Sequence, residues 1–130
     1  MGTDRAGDSG SAVAEFVMVA GLLVMVFAGV VQVGLVMHVR NVFAAAAAEG
    51  ARYSASSGHD EQSGVDRIEE LARAALSDAL VNEIPCAITT ERRSGEMIRL
   101  ARCVGRMPLL FAPFGRVAIS VSAASILEPR

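Results

Sequence analysis

The chain has 130 residues, of which 12 are basic and 14 acidic, for a net charge of −2. That length admits one compact domain of ordinary size and excludes two. All twelve cations are arginine, and no basic patch compensates for the acidic balance, so a nucleic-acid partner is excluded as a class.

Residues 1–10, Met-Gly-Thr-Asp-Arg-Ala-Gly-Asp-Ser-Gly, are short and polar and read as a disordered leader. From Phe16 to Met37 the sequence then runs without a charge and with one amide, Gln32. Residues 16–39 hold 19 of the chain's apolar residues, and without them the remainder has the composition of a soluble domain. Twenty-two residues in a helix rise about 33 Å, close to the ~30 Å hydrocarbon core of a bilayer. A cleaved secretory signal would have a shorter apolar region and a basic lead, whereas here Asp4 and Asp8 offset Arg5. The segment is therefore expected to span a membrane once, over residues 16–39, with the lipid bilayer as its first partner.

Nothing stops that helix at Arg40. Asn41-Val42-Phe43 leads into five alanines, Ala44–Ala48, and only Gly50 opposes continuation. One helix is predicted from about residue 11 to residue 56, until the loop Ser56–Gly64 ends it. Ser63 should then open a second helix over 63–82, with Asp66 completing an imperfect capping box. Val65, Ile68, Leu71, Ala72, Ala75, Leu76, Ala79 and Leu80 make its apolar face, and Glu69 and Arg73 pair on the other. Beyond Pro85, strands are expected at Cys86–Thr90, at Met97–Val104 and around Val117, Ile119 and Val121. A loop containing Leu109, Leu110, Phe111 and Pro113 joins the last two. The fold class is α+β: a long N-terminal helix, then an amphipathic helix and a small antiparallel sheet in an extramembrane part, residues 57–130.

If Ser94-Gly95 is a two-residue hairpin turn, paired residues sum to 189 and Cys86 faces Cys103. The seventh rung out is a non-hydrogen-bonded pair, where side chains approach closely enough for a disulfide. Two reduced, buried cysteines are the alternative. A disulfide suits an oxidising compartment and places the C-terminal part outside the cytoplasm. Arg40 and Arg52, after the span, pull the opposite way under the positive-inside rule. These residues leave the orientation open.

Signals for catalysis are nearly absent. His38 borders the span, and His59-Asp60-Glu61 reads as a solvated loop rather than a ligand set, so neither a metal nor a cofactor is expected. No serine carries a nucleophile motif and the cysteines lack a CxxC spacing, so the chain is not expected to be an enzyme. The informative element is Glu15, a carboxylate set directly against Phe16 and the apolar run. An ionisable group there is either a functional device or an interfacial residue that closes the span on the water side.

Gly10, a small residue after it, Glu15 and Phe16 together resemble the processing site of type IV pilins. The longer run Gly10–Val19, with Val39-Arg40-Asn41-Val42-Phe43, Ala44–Ala48 and Glu49-Gly50-Ala51-Arg52-Tyr53, is similar to the TadE-like family. These are pseudopilin-type proteins of the tight-adherence (Tad, or Flp) pilus system. The resemblance covers roughly residues 8–55. It implies a minor pseudopilin, a structural or assembly component with a pilin-like stalk over residues 11–56. It also implies cutting between Gly10 and Ser11 by a prepilin peptidase, with Glu15 acting as the assembly carboxylate. The implied partners are pilus or pseudopilin subunits and an inner-membrane assembly platform. The implied topology is single-pass, with a cytoplasmic N-terminus and an extracytoplasmic C-terminal domain. The competing expectation is a signal-anchored module whose C-terminal domain binds an unknown ligand and in which Glu15 is incidental.

Overall fold

The computed structural model describes residues 6–110 and 115–129, with residues 6–9 described as backbone only. The expected disorder of residues 1–5, and Phe111 and Pro113 of the predicted loop, lie outside the described residues. The elements are α1 (Ala6–Ala55), α2 (Glu61–Ala75), α3 (Asp78–Asn82), β1 (Cys86–Arg93), β2 (Glu96–Pro108) and β3 (Arg116–Ile126). This is an α+β chain with one long apolar helix. Residues 6–10, expected to be disordered, are helical. Once a helix is nucleated, each further residue is fixed at the gain of one hydrogen bond, so a long helix extends into a polar leader.

The chain divides into two compact units, residues up to Gly34 and residues Leu35–Arg130. The first unit is helix alone. Phe16 is 73% exposed, and Leu22, Leu23, Val24, Met25 and Phe27 are exposed with it. A helix apolar all round that the chain itself does not cover suits a lipid environment.

In the second unit the sheet is an antiparallel meander, β1-β2-β3. The β1–β2 turn is Ser94-Gly95, and both residues have positive φ, 54° and 89°. That is the primed-turn twist which suits a tight hairpin, and glycine adopts it without strain. The register follows from the turn: Arg93 faces Glu96, Ile88 faces Ala101 and Cys86 faces Cys103. The cysteines are bonded, with Cα atoms 4.1 Å apart. Both strands run past their predicted ends, β1 to Arg93 and β2 to Pro108. On β3, Ile119 and Val121 are buried and Val117 is half-buried, the alternation read from the sequence.

The helices cover the face of the sheet that carries Cys103, Ala101 and Met107. Val39, Phe43, Ala46, Ala47 and Ala51 of α1 join Ile68 and Ala72 of α2 and Ile88, Ile119 and Val121 of the sheet in one core. Two glycines set the α1–α2 spacing. A Cβ on Gly64 would lie 2.7 Å from the Gly50 carbonyl oxygen, and one on Gly50 would lie 2.7 Å from the Gly64 carbonyl oxygen. The helix backbones touch there.

The predicted helix over 63–82 is two helices. Leu76 has extended backbone (φ −131°, ψ 162°), and Ser77 is the N-cap of α3. Serine and aspartate compete for the backbone and favour a new start over continuation. Ala75, the last residue of α2, and Ala79, beyond the break, both assigned to the apolar face, are exposed. Leu71, Leu76 and Leu80 flank the core rather than forming it, and Val81 and Ile84 are buried instead. The cap of α2 also differs from expectation. Asp60, not Ser63, is the N-cap: its carboxylate accepts from the Ser63 N–H at 2.8 Å, and the Ser63 hydroxyl accepts from the Asp60 N–H at 3.1 Å. Aspartate three residues before serine forms the reciprocal box that Ser63 and Asp66 do not.

These bonds hold the Asp60 carboxyl below its ordinary value, the Ser63 backbone N–H contributing most. A depressed carboxylate stabilises the fold above its unfolded pKa, about 3.9, and loses that contribution as pH falls through the lower folded value. Thermal melting should therefore shift downward on acidification below about pH 4. Asp60→Ala should melt lower at neutral pH and show less of that acid dependence; a variant with an unaltered acid limb would count against the cap.

The far end of the domain is pinned by Arg99. Its Nη1 donates to Glu61 at 2.8 Å and also to the Thr90 hydroxyl, and its Nε donates to the Ser54 carbonyl at 3.3 Å. One guanidinium thus serves the C-terminal turn of α1 and a carboxylate in the first turn of α2, each the favourable sign for its helix end. Arg99 is 13% exposed and Glu61 45%. Arg99→Met should cost about 1–2 kcal/mol, discounted for the half-exposed partner. Urea unfolding of the full chain in detergent measures it, and an unchanged midpoint would remove Arg99 from the list of stabilising contacts.

Candidate functional site

The residues that sequence reasoning singled out for assembly, Gly10, Ser11, Glu15 and Phe16, all lie on α1 and are all exposed. Ser11 and Glu15 are four residues apart and so share a helix face. Among the described residues, and apart from the adjoining helix backbone and chain neighbours, no atom lies within 4 Å of the position a Cβ on Gly10 would take.

Toward the C-terminus the helix is long and apolar enough to cross a membrane, and its most apolar window has no buried residue. The glycines Gly21, Gly29 and Gly34 meet nothing within 4 Å either. Small residues at a helix surface let a second helix backbone approach closely in lipid.

The residues of the predicted solvated loop have structural partners. The His59 ring packs at a tilt of 50° against Tyr53, ring centroids 4.1 Å apart, and its Nδ1 lies 3.0 Å from the Ser56 hydroxyl. Asp60 caps α2 and Glu61 binds Arg99. Among the described residues, no group of three or more His, Cys, Asp or Glu is placed to hold a metal ion. A cleft of about 530 Å³ lies at the far end of the domain between His59, Met97 and Leu127. Ser56 and His59, the hydrogen-bonded pair just described, are both on its lining.

Sequence reasoning passed over the Arg99–Glu61–Thr90 cluster and the Gly50–Gly64 contact. No local signal marks either, because each joins residues far apart in the chain. The register of the hairpin, once drawn, does put Arg99 beside Thr90.

Neither the curated proteins nor the solved structures gave a match to this chain. A family model did: residues 10–52 match the family described as TadE-like protein. The matched segment begins at Gly10, contains Glu15 and the whole apolar run, and ends at Arg52 in the last turn of α1. Over that segment the chain is similar to the TadE-like family, and the match together with the exposed apolar helix supports a Tad-associated membrane protein.

Proposed function

We propose that this chain is a minor pseudopilin that serves the assembly of a Tad (Flp) pilus or a related secretion apparatus. The observation that carries the reading is an exposed carboxylate, Glu15, at the foot of an exposed apolar helix, five residues after an open Gly10, inside the family-matched segment. On this reading a prepilin peptidase hydrolyses the Gly10–Ser11 bond on the cytoplasmic side, leaving an α-ammonium on Ser11. Glu15 of a neighbouring subunit pairs with that ammonium. In lipid each charge alone is costly, so the pair favours one axial register between helices over others.

The helix then holds the protein as a single-pass membrane subunit, with residues 57–130 and the Cys86–Cys103 disulfide on the extracytoplasmic side. The disulfide supports that orientation, since such bonds persist in oxidising compartments. Other pilus or pseudopilin subunits and the inner-membrane platform are its partners.

The expected outcome of intact-mass analysis of the membrane-extracted protein is a mature chain beginning at Ser11. Gly10→Val should leave the leader attached, because a branched side chain fills the small site. Glu15→Ala should be cut normally yet fail to co-assemble with other subunits. A chain that keeps Met1 or Gly2 in the presence of an active peptidase, or a Glu15→Ala variant that assembles normally, would sink the reading.

A further inference from the structure

The compact domain begins at Leu35, whereas the apolar run of the sequence continues through Met37 and Val39. Leu35 and Val36 pack against the domain core and Val39 is fully buried in it. The last turn of the apolar run is thus already part of the folded domain. The apolar residues before it, 16–34, rise about 28 Å as a helix, which by itself matches the hydrocarbon core. No polar spacer stands between that stretch and the domain.

Strand β2 shows which part of the domain lies level with Leu35. Its Arg99 is bonded to the Ser54 carbonyl at the end of α1, and the Glu128 N–H donates to the Ala55 carbonyl there as well. From Ser54 back to Leu35 the helix covers about 28 Å, and from Arg99 on to Pro108 the strand covers about 30 Å. Helix and strand therefore end together. Pro108 and Leu110 line a groove of about 340 Å³ with Leu35, Ala79 and Leu80. Leu110 is 61% exposed, and the Leu109 N–H donates to the Gly115 carbonyl at 3.0 Å. At the rim Arg116 pairs with Glu83 at 3.4 Å.

We propose that this end of the domain, the groove of Leu35, Leu80, Pro108 and Leu110, is a lipid-contact surface seated in the headgroup–acyl boundary of the bilayer. The inference rests on the reading of α1 as membrane-spanning. Its occupant is lipid because the groove is continuous with the apolar run: Leu35 is a residue of both. Interfacial elements bury an apolar face about 5–10 Å into that boundary, and the rim pair Arg116–Glu83 then lies at the polar headgroups.

The chain has no tryptophan, so a single introduced one is a unique fluorophore. Full-length Leu110→Trp, Met97→Trp and Val24→Trp chains are each reconstituted alone, at high lipid-to-protein ratio, in phosphatidylcholine vesicles carrying brominated acyl chains. Leu110→Trp should emit to the blue of Met97→Trp and lose most of its intensity with bromines near the headgroup end. Met97→Trp, at the opposite end of the domain, should keep its intensity and be quenched by aqueous iodide. Val24→Trp should be quenched by bromines deep in the chain. If Val24→Trp is quenched and Leu110→Trp behaves like Met97→Trp, the lipid contact is overturned and the spanning helix stands. Should Leu110→Trp be blue-shifted yet blind to brominated lipid, a second protein copy covers the groove and the proposal falls. Loss of lipid quenching at Val24→Trp overturns both readings together.

Discussion

A Gly64→Val chain should lose its folded domain at temperatures where the parent is stable. The added Cβ would lie 2.6 Å from the Cβ of Ser54 and 2.7 Å from the Gly50 carbonyl oxygen. The third neighbour, the Ile88 Cδ1, can turn away; the first two cannot without moving α1. Separating the helices would open the core around Ile68 and Ala72, which are fully buried at this contact. Overpacking of a rigid site costs about 3 kcal/mol, and the better helix propensity of valine offsets only a few tenths of that. For a domain of this size the melting temperature should fall by roughly 12–24 °C. Hydrogen exchange of the β2 amides is the suitable probe, because the apolar helix keeps its helical circular dichroism in detergent. Gly29→Ala, at a position with open space around it, should leave those amides as protected as in the parent. Equal protection in Gly64→Val would show that the two helices do not cross at backbone contact.

Removing the disulfide should have an effect of similar size. Cys86 and Cys103 are separated by 17 residues, and closing a loop of that length restricts the unfolded chain by about 3 kcal/mol in the chain-entropy model. The bridge joins β1 to β2 on the face turned toward the core, where Cys103 is fully buried. A Cys86→Ser, Cys103→Ser double variant should therefore melt roughly 12–24 °C below the oxidised parent, and dithiothreitol should lower the parent toward it. The single Cys86→Ser variant is expected to be no better, because it leaves a thiol buried and unpartnered. A parent whose melting ignores reductant, together with a double variant of equal stability, would mean that the hairpin turn and the core hold this register unaided.

The strongest sequence signals were those whose physical cause is local. The apolar run from Phe16 to Met37 requires a helix in lipid, because each backbone group must find its partner within the segment. Ala44–Ala48 carries that helix onward, because alanine loses no side-chain entropy. Ser94-Gly95 fixes the register of β1 on β2, and one turn of two residues is enough to place Cys86 opposite Cys103. Strand pairing has a period of two, so an error of one residue would have set the cysteines on opposite faces.

What the tertiary structure decided rests on contacts between distant residues. The α2–α3 break falls at Leu76, where the chain turns to start α3 from Ser77, and beyond it Val81 and Ile84 are buried in the core. Periodicity by itself carried the helix through that point. Gly50 and Gly64 look like weak points in two helices until the helices are laid together, when they become the contact that allows Ile68 to reach the core. Arg99 is one of twelve arginines in the sequence; only the approach of Ser54, Glu61 and Thr90 from three elements makes it the pin of the domain. A local pattern fixes backbone conformation over a few residues, while burial and charge pairing depend on which surfaces meet, and that is settled by the packing of α1, α2 and the sheet.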